Sequence, residues 1–368
     1  MKHFFYIQLI GLLLCSYPNL SRAADKVQAI RLAVRPERNV LPLSNIASSV
    51  RYIFLSNDCL LRNIKKLLLD EDNNIYILDN KGNGIFKFDS QGNFIRQISR
   101  KGNGPGEYRK IYDFDIDKNQ VVLLGETLMY FDLEGKFLHN KQLPTGCNSF
   151  SVQNGKIIGS LGAQSVIAYK KDTFEVYKSR TKDQYFSYSH PYHFTKNGNK
   201  IFYEDCYNDT IYEVTSKGIK PFFIADFGDL KIPKSLPIND DIFLDPKLRT
   251  YCSDVCFFKL SNHYISFIFL HENRGIVCIY NRNSKESHIF GSIRNDIDPI
   301  GISMPIPLAI KDKKIYLVTQ EGWIYNQYIA LKQSEKASDH QLADAIKDRL
   351  GREPREDDNA TLIEVTCK

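Results

Sequence analysis

Short apolar runs alternate with polar turn residues along the chain, and the pattern is clearest between Asn74 and Tyr108. Here the mainly apolar runs Ile75–Leu78, Ile85–Phe88 and Phe94–Ile98 are separated by Asp, Asn and Gly residues. β-Branched and aromatic residues favour strands, whereas Asp, Asn and Gly favour tight turns. The stretch therefore predicts an antiparallel meander.

Weaker copies of this meander recur along the chain, each with a β-rich second strand that follows a polar turn. The six second strands are Ile75–Ile77, Val121–Leu123, Ile157–Ile158, Ile201–Tyr203, Tyr264–Ile265 and Ile315–Leu317. Their spacing is close to that of blade repeats of about 40 to 50 residues. The sequence therefore predicts an all-β fold, a six-bladed β-propeller with four-stranded antiparallel blades.

Extra segments flank or interrupt the repeats. Residues 27–34 form a β-rich run before the first repeat, and we expect this N-terminal strand to close the ring in the last blade. Residues 230–251 are rich in Asp, Lys and Pro and predict an insertion between blades 4 and 5. Ser338–Gln341 resembles a capping box, so residues 338–351 predict one C-terminal helix, within the last blade, that ends at Gly351.

Residues 1–23 have the features of an export signal. A positive start precedes the apolar segment Phe4–Leu14, and Ser21–Ala23 is a small-x-small cleavage site. The apolar segment is too short to span a bilayer, and no other stretch approaches transmembrane length. We expect residues 24–368 to form a single exported domain in the periplasm or at the cell surface. Lipid attachment at Cys15 is the less favoured alternative, because a bulky leucine precedes it.

Composition narrows the classes of function. The chain of 368 residues is 43% apolar and 12% aromatic, enough for a large core. Its formal net charge of +6 comes from scattered basic residues, which argues against nucleic-acid binding. Seven cysteines follow the cleavage site, an odd number, and no C-x-x-C pair is present, so structural zinc is not expected. Cys252 and Cys256 are interpreted as buried small apolar residues.

Four motifs resemble those of exported six-bladed β-propeller proteins, similar to NHL-repeat proteins, of Bacteroidota-type bacteria. They are Phe88–Phe94 (F-D-x-x-G-x-F), Lys101–Tyr108, Asn208–Tyr212 and Glu356–Asn359. Ala360 departs from the pattern, because a proline is common at that position. The resemblance implies the propeller fold over nearly the whole mature chain and supplies no activity.

Two further motifs resemble ligand sites. Gly102–Gly106 resembles a phosphate-binding loop, but the residues after it alternate like a strand, so we interpret it as a connector between blades. Asp113, Asp115 and Asp117 resemble the start of a calcium loop without its later glycine and glutamate. Strand alternation places their carboxylates on one face. We predict no metal and no cofactor, with calcium at these residues as the alternative.

The sequence contains no recognised catalytic constellation. His190 and His193 would point to opposite faces of a strand, and His271–Glu272 is interpreted as a polar loop pair. Gly-x-Ser-x-Gly and His-Glu-x-x-His motifs do not occur. We therefore expect a monomeric binding or interaction module for an envelope glycan, peptide or protein partner rather than an enzyme. The alternative is an NHL-like lyase or hydrolase with a metal or a His and carboxylate site in the central channel.

We predict the ligand site at one mouth of the channel. Loops that join neighbouring blades meet there with loops that join second to third strands. The first set contributes Arg109, Asn148, His190 and Asp254, and the second contributes Asp79, Glu126, Asp205 and His271. With Tyr108, Tyr203 and Trp323 nearby, this mixture would suit a polar ligand stacked on an aromatic ring.

Overall fold

The computed structural model describes residues 27–34, 40–79, 84–161, 165–179, 192–233, 236, 246–302 and 304–368. The predicted export signal and residues 237–245 of the predicted insertion lie outside this part of the chain.

The described chain forms a six-bladed β-propeller with four-stranded antiparallel blades, as predicted. Three strands precede the first blade: β1 (Gln28–Arg31), β2 (Val40–Pro42) and β3 (Ala47–Phe54). Blade 1 consists of β4 (Ile64–Leu69), β5 (Ile75–Asp79), β6 (Gly84–Phe88) and β7 (Phe94–Ile98). Blade 2 consists of β8 (Asp113–Asp117), β9 (Gln120–Leu124), β10 (Leu128–Asp132) and β11 (Phe137–Lys141). Blade 3 consists of β12 (Ser149–Gln153), β13 (Lys156–Ser160), β14 (Ser165–Tyr169) and β15 (Phe174–Ser179).

The second half of the ring follows the same order. Blade 4 consists of β16 (Phe194–Asn197), β17 (Lys200–Glu204), β18 (Thr210–Thr215) and β19 (Gly218–Asp226). Blade 5 consists of β20 (Ser253–Leu260), β21 (Tyr264–His271), β22 (Arg274–Asn281) and β23 (Ser287–Phe290), and β24 (Ser292–Arg294) follows it. Blade 6 consists of β25 (Met304–Lys311), β26 (Lys314–Val318), β27 (Thr361–Cys367) and β3. The six predicted second strands are β5, β9, β13, β17, β21 and β26.

An N-terminal strand closes the ring, but it is β3 rather than residues 27–34. β3 pairs antiparallel with β27, and Arg51 lies opposite Glu364. β1 instead pairs in parallel with β19 and adds a fifth strand to the outer edge of blade 4. Both N-terminal runs are β-rich, but β3 offers a longer ladder to the open edge of β27, which explains why it is the closing strand.

Two helices lie between β26 and β27. They are α1 (Trp323–Lys332) and α2 (Ala337–Leu350). α2 is the predicted C-terminal helix, and Gly351 ends it with a left-handed φ of 69°. The predicted capping box is wrong, because α2 begins after Lys336 and no side chain caps its first turn. The pattern did not predict α1, which packs on α2 through Ile324 and Tyr328.

Apolar clusters fill the six interfaces between neighbouring blades. Between blades 2 and 3, for example, Val122 and Leu124 pack against Phe150 and Ile157. Because each blade is covered on both faces by its neighbours, most large apolar side chains lie in these clusters rather than along the central axis. The innermost strands can therefore carry polar side chains toward the channel.

Candidate functional site: a lysine-lined central cavity

A central cavity of about 630 Å³ reaches the turns between first and second strands of the blades. Its wall comes from the innermost strands β4, β8, β12, β16, β20 and β25. The lysines that line it are Lys65, Lys66, Lys118, Lys196, Lys259 and Lys311. Side-chain amides at Gln153, Asn154, Asn197, Asn199 and Asn262 and rings at Phe150, Tyr192, Phe194 and Phe257 also contribute. This combination offers hydrogen-bond donors and acceptors together with apolar surface, as ligand sites usually do.

The three alternating aspartates of β8 join blade 2 to blade 3. Asp113 accepts a backbone N–H from Phe150 at 3.0 Å, and Asp115 accepts one from Val152 at 2.8 Å. Asp117 accepts the N–H groups of Asn154 and Gly155 at 2.9 and 2.8 Å. Adjacent innermost strands of a propeller are not paired in one sheet, so these carboxylates satisfy backbone donors that no strand ladder reaches.

Two lysines of the cavity wall complete this arrangement. Lys66 of blade 1 pairs with Asp113 at 2.7 Å, and Lys196 of blade 4 pairs with Asp115 at 2.8 Å. Both aspartates are almost fully buried, with exposed fractions of 0% and 3%. Burial raises the pKa of Asp113, and the nearby Lys66 charge opposes that shift. Blades 1 to 4 are thus cross-linked around the axis by buried charges.

The remaining blade interfaces are also bridged by polar contacts near the axis. Thr195 Oγ1 donates to the Phe258 carbonyl at 2.5 Å between blades 4 and 5. Ser261 Oγ donates to the Asp312 carbonyl at 2.6 Å between blades 5 and 6. At the interface of blades 6 and 1, a lysine of β25, Lys311, donates to the Asp70 carbonyl at 2.8 Å. The channel wall is therefore held by polar links at every interface, which favours a rigid cavity.

Glu204 of β17 is buried beside the cavity wall. Its carboxylate accepts the Phe258 N–H at 2.6 Å. Burial raises the pKa of Glu204 to about 8, although Lys259 acts in the opposite direction. Burial lowers the pKa of Lys259, and the Glu204 charge opposes this. Burial therefore favours the protonated form of the Glu204 carboxyl group, and the Lys259 charge favours the ionised form.

Seven of the eight predicted site residues are described, and none of the seven lines the cavity; His190 lies outside the described residues. Arg109 and Glu126 meet on the opposite face, 3.7 Å apart, with 70% of each side chain exposed. Asn148 is also exposed, and its backbone N–H donates to the Ser160 carbonyl at 2.8 Å.

The other predicted acids bind the chain around them. Asp79, fully buried, accepts the N–H groups of Arg62 and Asn63 at 2.6 and 2.7 Å. Asp254 accepts the Tyr207 N–H at 3.0 Å. Asp205 is buried and pairs with the ammonium group of Lys178, a residue outside the predicted set. His271 is buried at the end of β21 and opposes Arg274 in the hairpin. The structure therefore brings Arg109 and Glu126 together. Asp79 and Asp254 instead accept backbone N–H groups, and Asp205 pairs with a lysine side chain.

The cavity lysines are not among the ligand-site residues that the sequence predicts. Lys66 and Lys259 each lie inside a mainly apolar innermost strand, whereas Lys196 lies in the mainly polar strand β16. A lysine within an apolar strand is the signal that identifies the first two, because a charged side chain is rarely buried without a partner or a cavity. The prediction that Asp113, Asp115 and Asp117 share one face of a strand identified the neighbouring aspartates but not the blade that they contact.

Metal and thiol chemistry find little support among the described residues. No three His, Cys, Asp or Glu side chains of this part of the chain are grouped to hold an ion. All six carboxylate oxygens of Asp113, Asp115 and Asp117 accept hydrogen bonds from the protein. Calcium at these residues stays the alternative prediction. Cys252 and Cys256 are buried in apolar clusters as predicted, and burial raises the pKa of Cys252 to about 12. Neither described helix has the length and apolar character needed to cross a membrane.

Comparisons with known proteins support the fold. A protein of Bacteroides fragilis described as exported is 17% identical, with 93% of this chain and 99% of that chain covered and a TM-score of 0.67. A DUF4221 family member from Bacteroides vulgatus is 9% identical, with 88% and 97% covered and a TM-score of 0.50. Virginiamycin B lyase from Staphylococcus aureus is 14% identical, with 73% and 81% covered, and its TM-score of 0.42 is too low to support an argument.

Comparison with curated proteins found no match. The family model of DUF4934, a domain of unknown function, matches residues 28–366, and the chain therefore belongs to the DUF4934 family.

Proposed function

We propose that this protein is an exported binding module that takes a saccharide of the cell envelope into its central cavity. The observation that carries the proposal is the cavity itself, whose volume of about 630 Å³ falls in the usual range for ligand sites of about 300 to 1,000 Å³. The similar Bacteroides fragilis protein, described as exported, and the signal-like residues 1–23 support the proposed location.

The lining chemistry suits a saccharide, and the concave shape of the site argues against a folded protein partner. Side-chain amides both donate and accept hydrogen bonds, so Gln153 and Asn199 suit hydroxyl groups, which do the same. Aromatic rings such as Phe257 offer faces for the apolar side of a sugar ring. A folded protein partner would need a broad flat surface, whereas this site is concave.

Binding is favoured over catalysis by the contacts of His193, a buried residue that precedes β16. His193 Nδ1 lies 3.2 Å from the backbone carbonyl oxygen of Glu204, while the Glu204 carboxylate accepts the Phe258 N–H. Histidine and carboxylate thus meet through the backbone rather than as an acid and base pair directed at a ligand. The lyase or hydrolase alternative predicts consumption of the bound saccharide, which product analysis detects.

The test compares a cavity-filling variant with a matched surface variant. Leu308 lines the cavity, whereas Leu138 is 41% exposed on the outer strand β11. A panel of envelope saccharides is screened by thermal shift, and hits are measured by calorimetry. Leu308→Trp should abolish binding of each hit, and Leu138→Trp should leave it unchanged. Full affinity in Leu308→Trp would exclude the cavity and favour the opposite face that carries the predicted site residues.

A further inference from the structure

Three lysines of the innermost strands, Lys66, Lys196 and Lys259, differ in how their charge is balanced. Lys66 and Lys196 each form a short ion pair with a buried aspartate. Within the described chain, the hydrogen bond of the Lys259 ammonium group is to the Phe258 carbonyl at 3.4 Å. This contact is long and involves a neutral acceptor, so Lys259 lacks the anionic partner that the other two have.

Nearby groups do not remove this imbalance. Burial lowers the pKa of Lys259, the charge of Glu204 opposes this shift, and the nearby charge of Lys66 adds to it. Glu204 lies near Lys259, but burial raises the pKa of its carboxyl group and so disfavours the charged form that would pair with the lysine. Lys259 therefore lines the open cavity beside Lys66 without a short ion pair among the described residues.

Lys66 also contacts aromatic rings at this place. Its Nζ atom lies 5.4 Å from the centre of the Tyr192 ring and 5.6 Å from that of Phe114. Together with Asp113, these contacts fix the position of the ammonium group. An anion that enters the cavity would meet one preorganised cation, Lys66, and one with no short ion pair, Lys259. Preorganisation lowers the cost of binding.

We propose that the saccharide is acidic, with a sugar carboxylate bound between Lys66 and Lys259 and its hydroxyl groups directed at the amides of the wall. The inference rests on the proposed function and names its ligand class. Gln153 supports it, because its Oε1 atom is buried at the cavity and accepts no hydrogen bond within the described residues. A sugar hydroxyl would satisfy that acceptor.

The experiment compares oligogalacturonate with its fully methyl-esterified form, which has the same rings but no charge. Calorimetry should show that esterification weakens binding by about tenfold or more, as expected for the loss of one hydrogen bond between charged groups. Lys259→Gln should remove this preference, and Lys259→Arg, which keeps the charge, should restore it. Lys217→Gln, at an exposed turn outside the cavity, is the matched control and should behave like the wild type.

Equal affinity for the two saccharides would overturn the inference and leave the proposed binding function intact. A thermal-shift titration with sodium sulfate tests the anion site independently of saccharide binding. If neither saccharide binds but sulfate stabilises the wild type and not Lys259→Gln, the anion site stands and the saccharide function is wrong. If sulfate stabilises both proteins equally and no acidic preference is seen, the anion site is wrong as well.

Discussion

The two faces of the propeller use similar polar residues for different purposes. On the face of the cavity, lysines line an open space; Lys66 and Lys196 form short ion pairs, and Lys259 forms none among the described residues. On the opposite face, Asp79, Asp205 and Asp254 are buried, with exposed fractions of 0%, 2% and 9%, and accept hydrogen bonds from the surrounding chain. A carboxylate beside loop N–H groups therefore indicates loop stabilisation, whereas a lysine in an innermost strand indicates the channel.

The largest expected effect concerns the wall of the cavity. Asp115→Ala leaves Lys196 without its anionic partner and the Val152 N–H without its acceptor, so we expect a loss of about 3 to 5 kcal/mol in unfolding free energy, as for one partner removed from a buried pair. Denaturant unfolding measures it. The double variant Asp115→Ala with Lys196→Met should recover part of the loss. A loss below about 1 kcal/mol in the single variant would show that these links do not hold the wall.

On the opposite face, Asp79→Ala should cost about 2 to 3 kcal/mol, because two backbone N–H groups lose a charged acceptor. Glu126→Ala, on the same face and 70% exposed on its side chain, is the matched control and should change stability by less than about 0.5 kcal/mol. Equal effects in the two variants would contradict the structural role of Asp79 and return it to the list of ligand residues.

Local patterns predicted the blades because each blade is a meander of neighbouring strands. Turn signals and β-rich runs identified all six second strands, and Gly92 and Gly135 have the positive φ values of 92° and 73° expected at their turns. The pairing of strands that are distant in sequence was not predictable in the same way. The closing pair joins Arg51 to Glu364 across nearly the whole chain, and two β-rich runs were available to make it.

The candidate site was predictable only in part for a related reason. Alternation correctly placed Asp113, Asp115 and Asp117 on one face of an innermost strand. Their partners lie on blades 1, 3 and 4, and no local sequence pattern indicates which blades are in contact. Loop position alone selected the predicted ligand residues, and it cannot distinguish an acid that accepts backbone N–H groups from one that faces a ligand.

The pH dependence of stability tests whether the carboxyl group of Glu204, beside the cavity, is protonated in the folded protein. Its pKa of about 8 lies above that of an unfolded glutamate, about 4.3, so the folded state binds the proton more tightly. The stabilisation is fully present below the unfolded pKa and is lost as pH rises through about 8. Glu204→Gln mimics the protonated group, so its melting temperature should rise relative to that of the wild type between pH 5 and about 8. A constant difference would mean that Glu204 stays charged.

The variant with the smallest expected effect on stability tests which face of the propeller binds the ligand. Arg109 and Glu126 form an exposed ion pair at 3.7 Å, and such pairs contribute about 0 to 1 kcal/mol. The double variant Arg109→Ala with Glu126→Ala should therefore melt within a few degrees of the wild type. Saccharide affinity should also be unchanged, because neither residue lines the cavity. Loss of binding in this folded variant would place the ligand on the opposite face, where the sequence predicted it, and would leave the cavity lysines as part of the wall alone.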